Sequence, residues 1–100
     1  MAKPKSLQLL ITPIAEADLA EIWAYIAVDS PKAATAFVEQ IQAKFIPLLE
    51  FPGMGAPRDQ IVQGLRAAPY RNYVIYYTHD DVAVTIIRVV HGARDVRALF

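Results

Sequence analysis

The stretch Tyr73-Val74-Ile75-Tyr76-Tyr77-Thr78-His79-Asp80-Asp81-Val82-Ala83-Val84-Thr85-Ile86-Ile87-Arg88-Val89-Val90-His91 decides the fold. It holds two β-branched and aromatic runs separated by the polar tripeptide His79-Asp80-Asp81, the pattern of two strands joined by a turn. In the second run, a period of two places Val82, Val84, Ile86, Arg88 and Val90 on one face. Ala83, Thr85, Ile87, Val89 and His91 fall on the other. Both faces are largely apolar, so both need cover. Helices can cover one. The other is expected to stay open beside Tyr73 or Tyr76 unless a partner chain closes it. Coverage by the chain's own Val96, Leu99 and Phe100 is the alternative.

Working upstream, Gly64-Leu65-Arg66-Ala67 begins another strand that ends near Pro69, and Arg71-Asn72 is the turn into Tyr73. Three strands with two short links form an antiparallel meander. Before it, Phe51-Pro52-Gly53-Met54-Gly55-Ala56-Pro57 is a loop. Ser30-Pro31 and Thr12-Pro13 are each a hydroxyl cap followed by a proline suited to the first helical position. A first helix is predicted over 13–28, with Ala15, Leu19, Ile22, Trp23 and Ile26 inward and Asp18, Glu21, Tyr25 and Asp29 outward. A second carries Ala34, Phe37, Val38, Ile41, Phe45 and Leu48 inward and should kink or stop near Ile46, because Pro47 lacks an N–H; Leu48, Leu49 and Phe51 continue the inward face. Leu7, Leu9 and Ile11 mark a short N-terminal strand that joins a sheet edge or a neighbouring strand. The chain thus reads as one α+β domain over residues 1–100. A two-helix antiparallel hairpin packs on one face of a small, mainly antiparallel sheet, in the order β-α-α-β-β-β.

Composition excludes several functions. Ten Lys and Arg against ten Asp and Glu give zero net charge, so there is no long-range pull toward nucleic acid or membrane. The absence of Cys removes disulfides, thiolate metal sites and Cys nucleophiles, and fits a reducing cytoplasm. Leu7 to Ile11 is too short for a membrane span or a signal segment, so the protein should stay in the cytoplasm. His79 and His91 lack metal-ligand spacing, Ser6 and Ser30 lie outside any nucleophile elbow, and the glycines form no phosphate loop. No metal, cofactor or small-molecule substrate is expected. The second half uses Arg alone for its basic residues, a type suited to directed bidentate contacts, although solvated surface or intramolecular pairs explain it equally. The one polar constellation is His91-Gly92-Ala93-Arg94-Asp95 with Arg88 and Arg66. It could serve acid–base chemistry on a phosphodiester or bind a partner surface. Pairing of Arg88 or Arg94 with Asp95 or an acid of the first helix is the structural alternative.

These residues carry a resemblance. Asp18-x-x-x-Ile22-x-x-Tyr25-Ile26, Leu49-x-x-Pro52-x-x-Gly55, Gly64-Leu65-Arg66, Asn72 to Tyr77 and Ile87-Arg88-Val89-x-His91-Gly92-Ala93-Arg94-Asp95 together resemble the RelE/ParE superfamily of bacterial type II toxins, in its ParE branch. The likeness implies a toxin that binds and inhibits or poisons DNA gyrase without catalysis and is neutralised by a ParD-like antitoxin in a hetero-oligomer. A RelE-like, ribosome-dependent mRNA endoribonuclease is the alternative it leaves, and a detoxified interaction module the third. In the RelE-like pattern an Arg begins the Arg-x-x-Tyr run; here that place is Tyr73 of Tyr73-Val74-Ile75-Tyr76, and no Lys follows Lys44. These departures favour gyrase. The residues implied for the target are Arg66, Arg88, His91 and Arg94; for the antitoxin, Tyr73 and Tyr76. As a ribonuclease, the chain would use His91 and Arg94, with Arg71 reaching the same phosphate.

Overall fold

A computed structural model describes residues 6–100. Strand β1 (Gln8–Ile11) leads into helices α1 (Pro13–Ala27), α2 (Pro31–Ala43) and α3 (Phe45–Glu50). Strands β2 (Ala56–Pro57), β3 (Arg66–Tyr70), β4 (Tyr73–His79) and β5 (Ala83–His91) follow, and a 3-10 turn spans Val96–Leu99. The five strands lie in the order β1-β5-β4-β3-β2, with β1 parallel to β5 and every other pair antiparallel. The α+β reading therefore holds, with a minimal strand β2 and a third short helix added to it.

Local chemistry explains the helix boundaries. Thr12 Oγ1 accepts the Ala15 N–H at 3.1 Å and Ser30 Oγ accepts the Ala33 N–H at 3.1 Å, each just before a proline that needs no partner there. Thr12 Oγ1 also donates to Ile87 O at 3.0 Å, fastening the strand-to-helix corner to β5. The second predicted helix breaks at Lys44, slightly before the expected place. The break puts Pro47 in the first turn of α3, where a missing N–H leaves no carbonyl orphaned.

The main core lies between the helices and the sheet, around Leu19, Ile22, Ile41, Phe45, Tyr77 and Ile86. Two residues expected inside it are not there. Trp23 remains 39% exposed at the margin of the α1–α2 pair, where its Nε1 donates to Thr35 Oγ1 at 3.1 Å. Phe51 ends α3 facing solvent, because the chain turns away there into the Pro52-Gly53 loop.

Two further corrections concern β5. Tyr76 stands opposite Arg88 and Tyr77 opposite Ile86, so β5 carries one extra residue, Ile87, as a β-bulge. The bulge breaks the simple alternation. Val84, Ile86 and Val89 all join the helix-side core, whereas Ile87 and Val90 face the other side. That other side is not left open. Leu65, Ala67, Tyr76 and Val90 are buried there beneath Val96 and Leu99, and the Phe100 ring meets Tyr76 edge-on at 5.7 Å. The chain's own last turn supplies the cover, so an open sheet face is no longer an argument for a partner.

Candidate functional site

The bulge determines what meets α1. Beyond Ile86, strand β1 has ended and the edge of β5 would be bare; Asp18 of α1 takes its place. Its Oδ2 accepts the Val89 N–H at 2.9 Å and the Arg88 Nε–H at 2.8 Å, while Oδ1 accepts Arg88 Nη2–H at 2.9 Å. Asp18 is only 5% exposed, and the fork of three donors compensates for burying its charge. The hydrogen bond to Asp18 raises the Arg88 pKa above the ordinary guanidinium value, against burial, with the charges of Asp18 and Glu21 adding to the rise.

Above this pair lies an open cleft of about 220 Å³. Its α1 wall is Asp18, Glu21, Ile22 and Tyr25, residues three and four apart and so on one helix face. The opposite wall is Tyr73 from β4, His91 from the end of β5, and Arg94 from the turn that follows. Val89 and Val90 complete the lining. His91 Nδ1 accepts the Ala93 N–H at 3.1 Å, which leaves Nε2 as the protonated nitrogen of the neutral ring. The ring meets Tyr73 edge-on at 5.4 Å. Burial first, then the neighbouring Tyr25, pushes the Tyr73 phenol above its usual range. Among the described residues the Arg94 guanidinium has no hydrogen-bond or ion-pair partner; the Arg94 backbone N–H donates to His91 O at 3.0 Å.

The structure brings together His91, Arg94 and Tyr73 in the cleft, with Arg88 beside them, held by Asp18. It does not bring in Arg66 or Tyr76. Arg66 Nη1 donates to Gly53 O at 3.1 Å and Gly55 O at 2.7 Å. There it joins the Tyr77 hydroxyl, which donates to Pro52 O and accepts the Gly55 N–H, each at 2.8 Å, in holding the loop. Tyr76 is buried under the last turn, and burial, partly offset by Arg58, raises its pKa. Arg71 stacks on Tyr70, 5.7 Å from the ring centre, outside the cleft.

Sequence reasoning missed Asp18, Glu21 and Tyr25 as site residues because it placed all three on a solvent face. Their spacing of three and four was the available signal.

Chemically, the cleft is balanced. Asp18 and Arg88 neutralise each other, leaving Glu21 on one wall and Arg94 on the other, around apolar Ile22 and Val89. Such a mixture suits a polypeptide surface; a phosphodiester entering toward Arg94 would also face the Glu21 carboxylate. Among the described residues no group of three His, Asp or Glu is placed to hold a metal ion, and no helix is long and apolar enough to cross a membrane.

Comparison with known proteins agrees with the architecture. The family model described as "ParE toxin of type II toxin-antitoxin system, parDE" matches residues 9–96. Toxin ParE1 of Caulobacter vibrioides is 34% identical over 85 residues, which cover 84% of this chain and 88% of that protein. A chain from the structure titled "Chromosomal ParDE TA system from P. aeruginosa" superposes with a TM-score of 0.74 at 25% identity, covering 86% of this chain and 96% of its own length.

Proposed function

The chain belongs to the ParE toxin family of type II parDE toxin–antitoxin systems, and from that membership we propose that it binds DNA gyrase, inhibits or poisons it without catalysis, and is neutralised by a ParD-like antitoxin in the cytoplasm. The observation that carries the reading is the cleft itself. Arg94 presents an unpaired guanidinium among the described residues, across the cleft from a carboxylate-bearing helix wall, and a lining of mixed charge and apolar residues supports a protein contact. Arg94 and His91 are the target-contact residues. Arg88 acts through Asp18 to hold the strand that carries them, and Arg66 holds the Gly53–Gly55 loop. Tyr73, on the same cleft, is the antitoxin contact; Tyr76 becomes one only if the last turn lifts.

One observation supports the ribonuclease alternative: the Nε2 proton donor of His91 and the Arg94 guanidinium share one cleft. Against it, Tyr73 stands where the RelE-like pattern has its arginine. Supercoiling by purified gyrase tests the leading reading. Inhibition at micromolar protein, lost in Arg94→Ala, is the expected result; unaffected supercoiling together with His91-dependent cuts in ribosome-bound message would replace it with the alternative.

A further inference from the structure

The two edges of the sheet differ in how they are protected. Strand β2 is two residues long and includes Pro57, so it offers little ladder to an incoming strand. Strand β1 reads Gln8-Leu9-Leu10-Ile11, with no charge and no proline, the devices that blunt an edge. Its inward backbone groups are settled by the parallel pairing: the Gln8 N–H donates to Val82 O at 2.8 Å and the Thr12 N–H to Ile86 O at 3.1 Å. Leu9 and Ile11 therefore turn their N–H and C=O groups away from β5, and among the described residues these groups have no partner. Between them the Leu10 side chain is 48% exposed, and Ile14 is exposed just beyond the strand.

We propose that the β1 edge is the interface for a second copy of the chain, with β1 pairing antiparallel to its own copy about a two-fold axis at Leu10. The backbone sets this register. The outward residues Leu9 and Ile11 are symmetric about Leu10, so Leu9 of one copy stands opposite Ile11 of the other and each such pair exchanges both of its hydrogen bonds. Leu10 then meets Leu10 as a close, non-hydrogen-bonded pair, with Cα atoms about 4.5 Å apart. Zero net charge means that two copies approach without long-range repulsion. Both sheets become one continuous sheet, and the exposed ladder on each disappears.

The chain has no cysteine, so Leu10→Cys introduces a single thiol on the proposed axis, within the Cα separation that a disulfide spans. Mild oxidation of the full chain is expected to give a covalent dimer of twice 11.1 kDa, while Met54→Cys, exposed elsewhere, stays monomeric over the same time. Sedimentation equilibrium of the unmodified chain is expected to show mass rising with concentration from 11.1 kDa toward that value. Leu10→Lys, an exposed change that sets two ammonium groups face to face, should weaken association about tenfold. A constant monomer mass up to millimolar concentration would overturn the proposal. So would a dimer indifferent to Leu10→Lys, or equal cross-linking at Leu10 and Met54. Leu9 and Ile11 amides that become protected from exchange only when the co-encoded antitoxin is added would give the edge to that chain instead.

Discussion

On one side of the sheet, Ile75, Tyr77 and Ile86 lie fully buried under three helices, two of which contribute the fully buried Ile41 and Phe45; on the other, Leu65, Ala67, Tyr76 and Val90 lie under a single turn whose own Val96 and Leu99 are half-buried. Both coverings exclude water, but they are held differently. The helix side interlocks with capped helices and a charged fork from Asp18. The turn is held by apolar contacts and by Asp95 Oδ1 accepting the Arg97 N–H at 3.2 Å. Low-stability elements are those with few buried contacts, so the second covering should open far more often than the first. The cleft residues His91 and Arg94 sit on the segment between them, anchored by β5 at one end and by the loose turn at the other.

The strongest way to break that contrast is to cut into the helix side. Phe45→Ala should cost about 3–5 kcal/mol in urea unfolding, a large part of the stability of a domain this size. Asp18→Ala should come next, at about 3 kcal/mol, because it leaves the Arg88 charge and the Val89 N–H without their partner. The double change with Arg88→Ala should cost less than the sum of the two single losses, which a double-mutant cycle measures. Gly55→Ala probes the loop clasp: an added Cβ would lie 2.5 Å from the Tyr77 hydroxyl oxygen, and the displacement should cost about 1–3 kcal/mol in thermal unfolding. Leu99→Ala, on the turn, should cost about 1 kcal/mol while speeding amide exchange at Val90 and Tyr76 selectively. If Leu99→Ala proved as damaging as Phe45→Ala, the two coverings would be equivalent.

The smallest effect belongs to the β4–β5 turn. Asp80 Oδ1 accepts the N–H groups of Val82 and Ala83, and these bonds hold its carboxyl below the usual carboxylate range, against a small opposing effect of burial and with help from His79. A folded-state pKa below the unfolded one stabilises the native turn at pH values above the unfolded pKa, near 3.8, and that contribution disappears as pH falls through the lowered value. An NMR titration should find Asp80 ionised at a pH where a free aspartate is half protonated, with Asp80→Asn removing a shallow acid limb from the stability curve.

Much of this was legible in the residues because the information was local. Thr12-Pro13 and Ser30-Pro31 state where helices begin, and Arg71-Asn72 and His79-Asp80-Asp81 state where strands turn back, each by chemistry contained within a few residues. What was missed depends on distant partners. Asp18 reads as a solvent-facing acid at the border of the apolar stripe of α1, and only contact with Arg88, 70 positions away, makes it an interior residue. Trp23 fits the apolar stripe of α1, yet where α2 crosses decides that it bonds to Thr35 at the margin instead. The second face of the sheet was readable as needing cover; that Val96, Leu99 and Phe100 provide it depends on how the chain bends at Gly92 to Asp95. For the cleft, His91, Arg94 and Tyr73 were legible as candidates, whereas their opposing wall on α1 was not.

The supernumerary Ile87 has a further consequence. Pairing Ile87 in step, with no residue left over, would make a perfectly regular ladder between β4 and β5, and by ordinary criteria a tidier protein. But each later side chain would then trade inside for outside: the imidazole would swing away from α1, and Val90 would point where Val89 now packs. The irregularity acts as a phase shifter, and a chain that ironed it out without losing a residue would keep its strands while losing the meeting of strand end and helix from which the cleft is made.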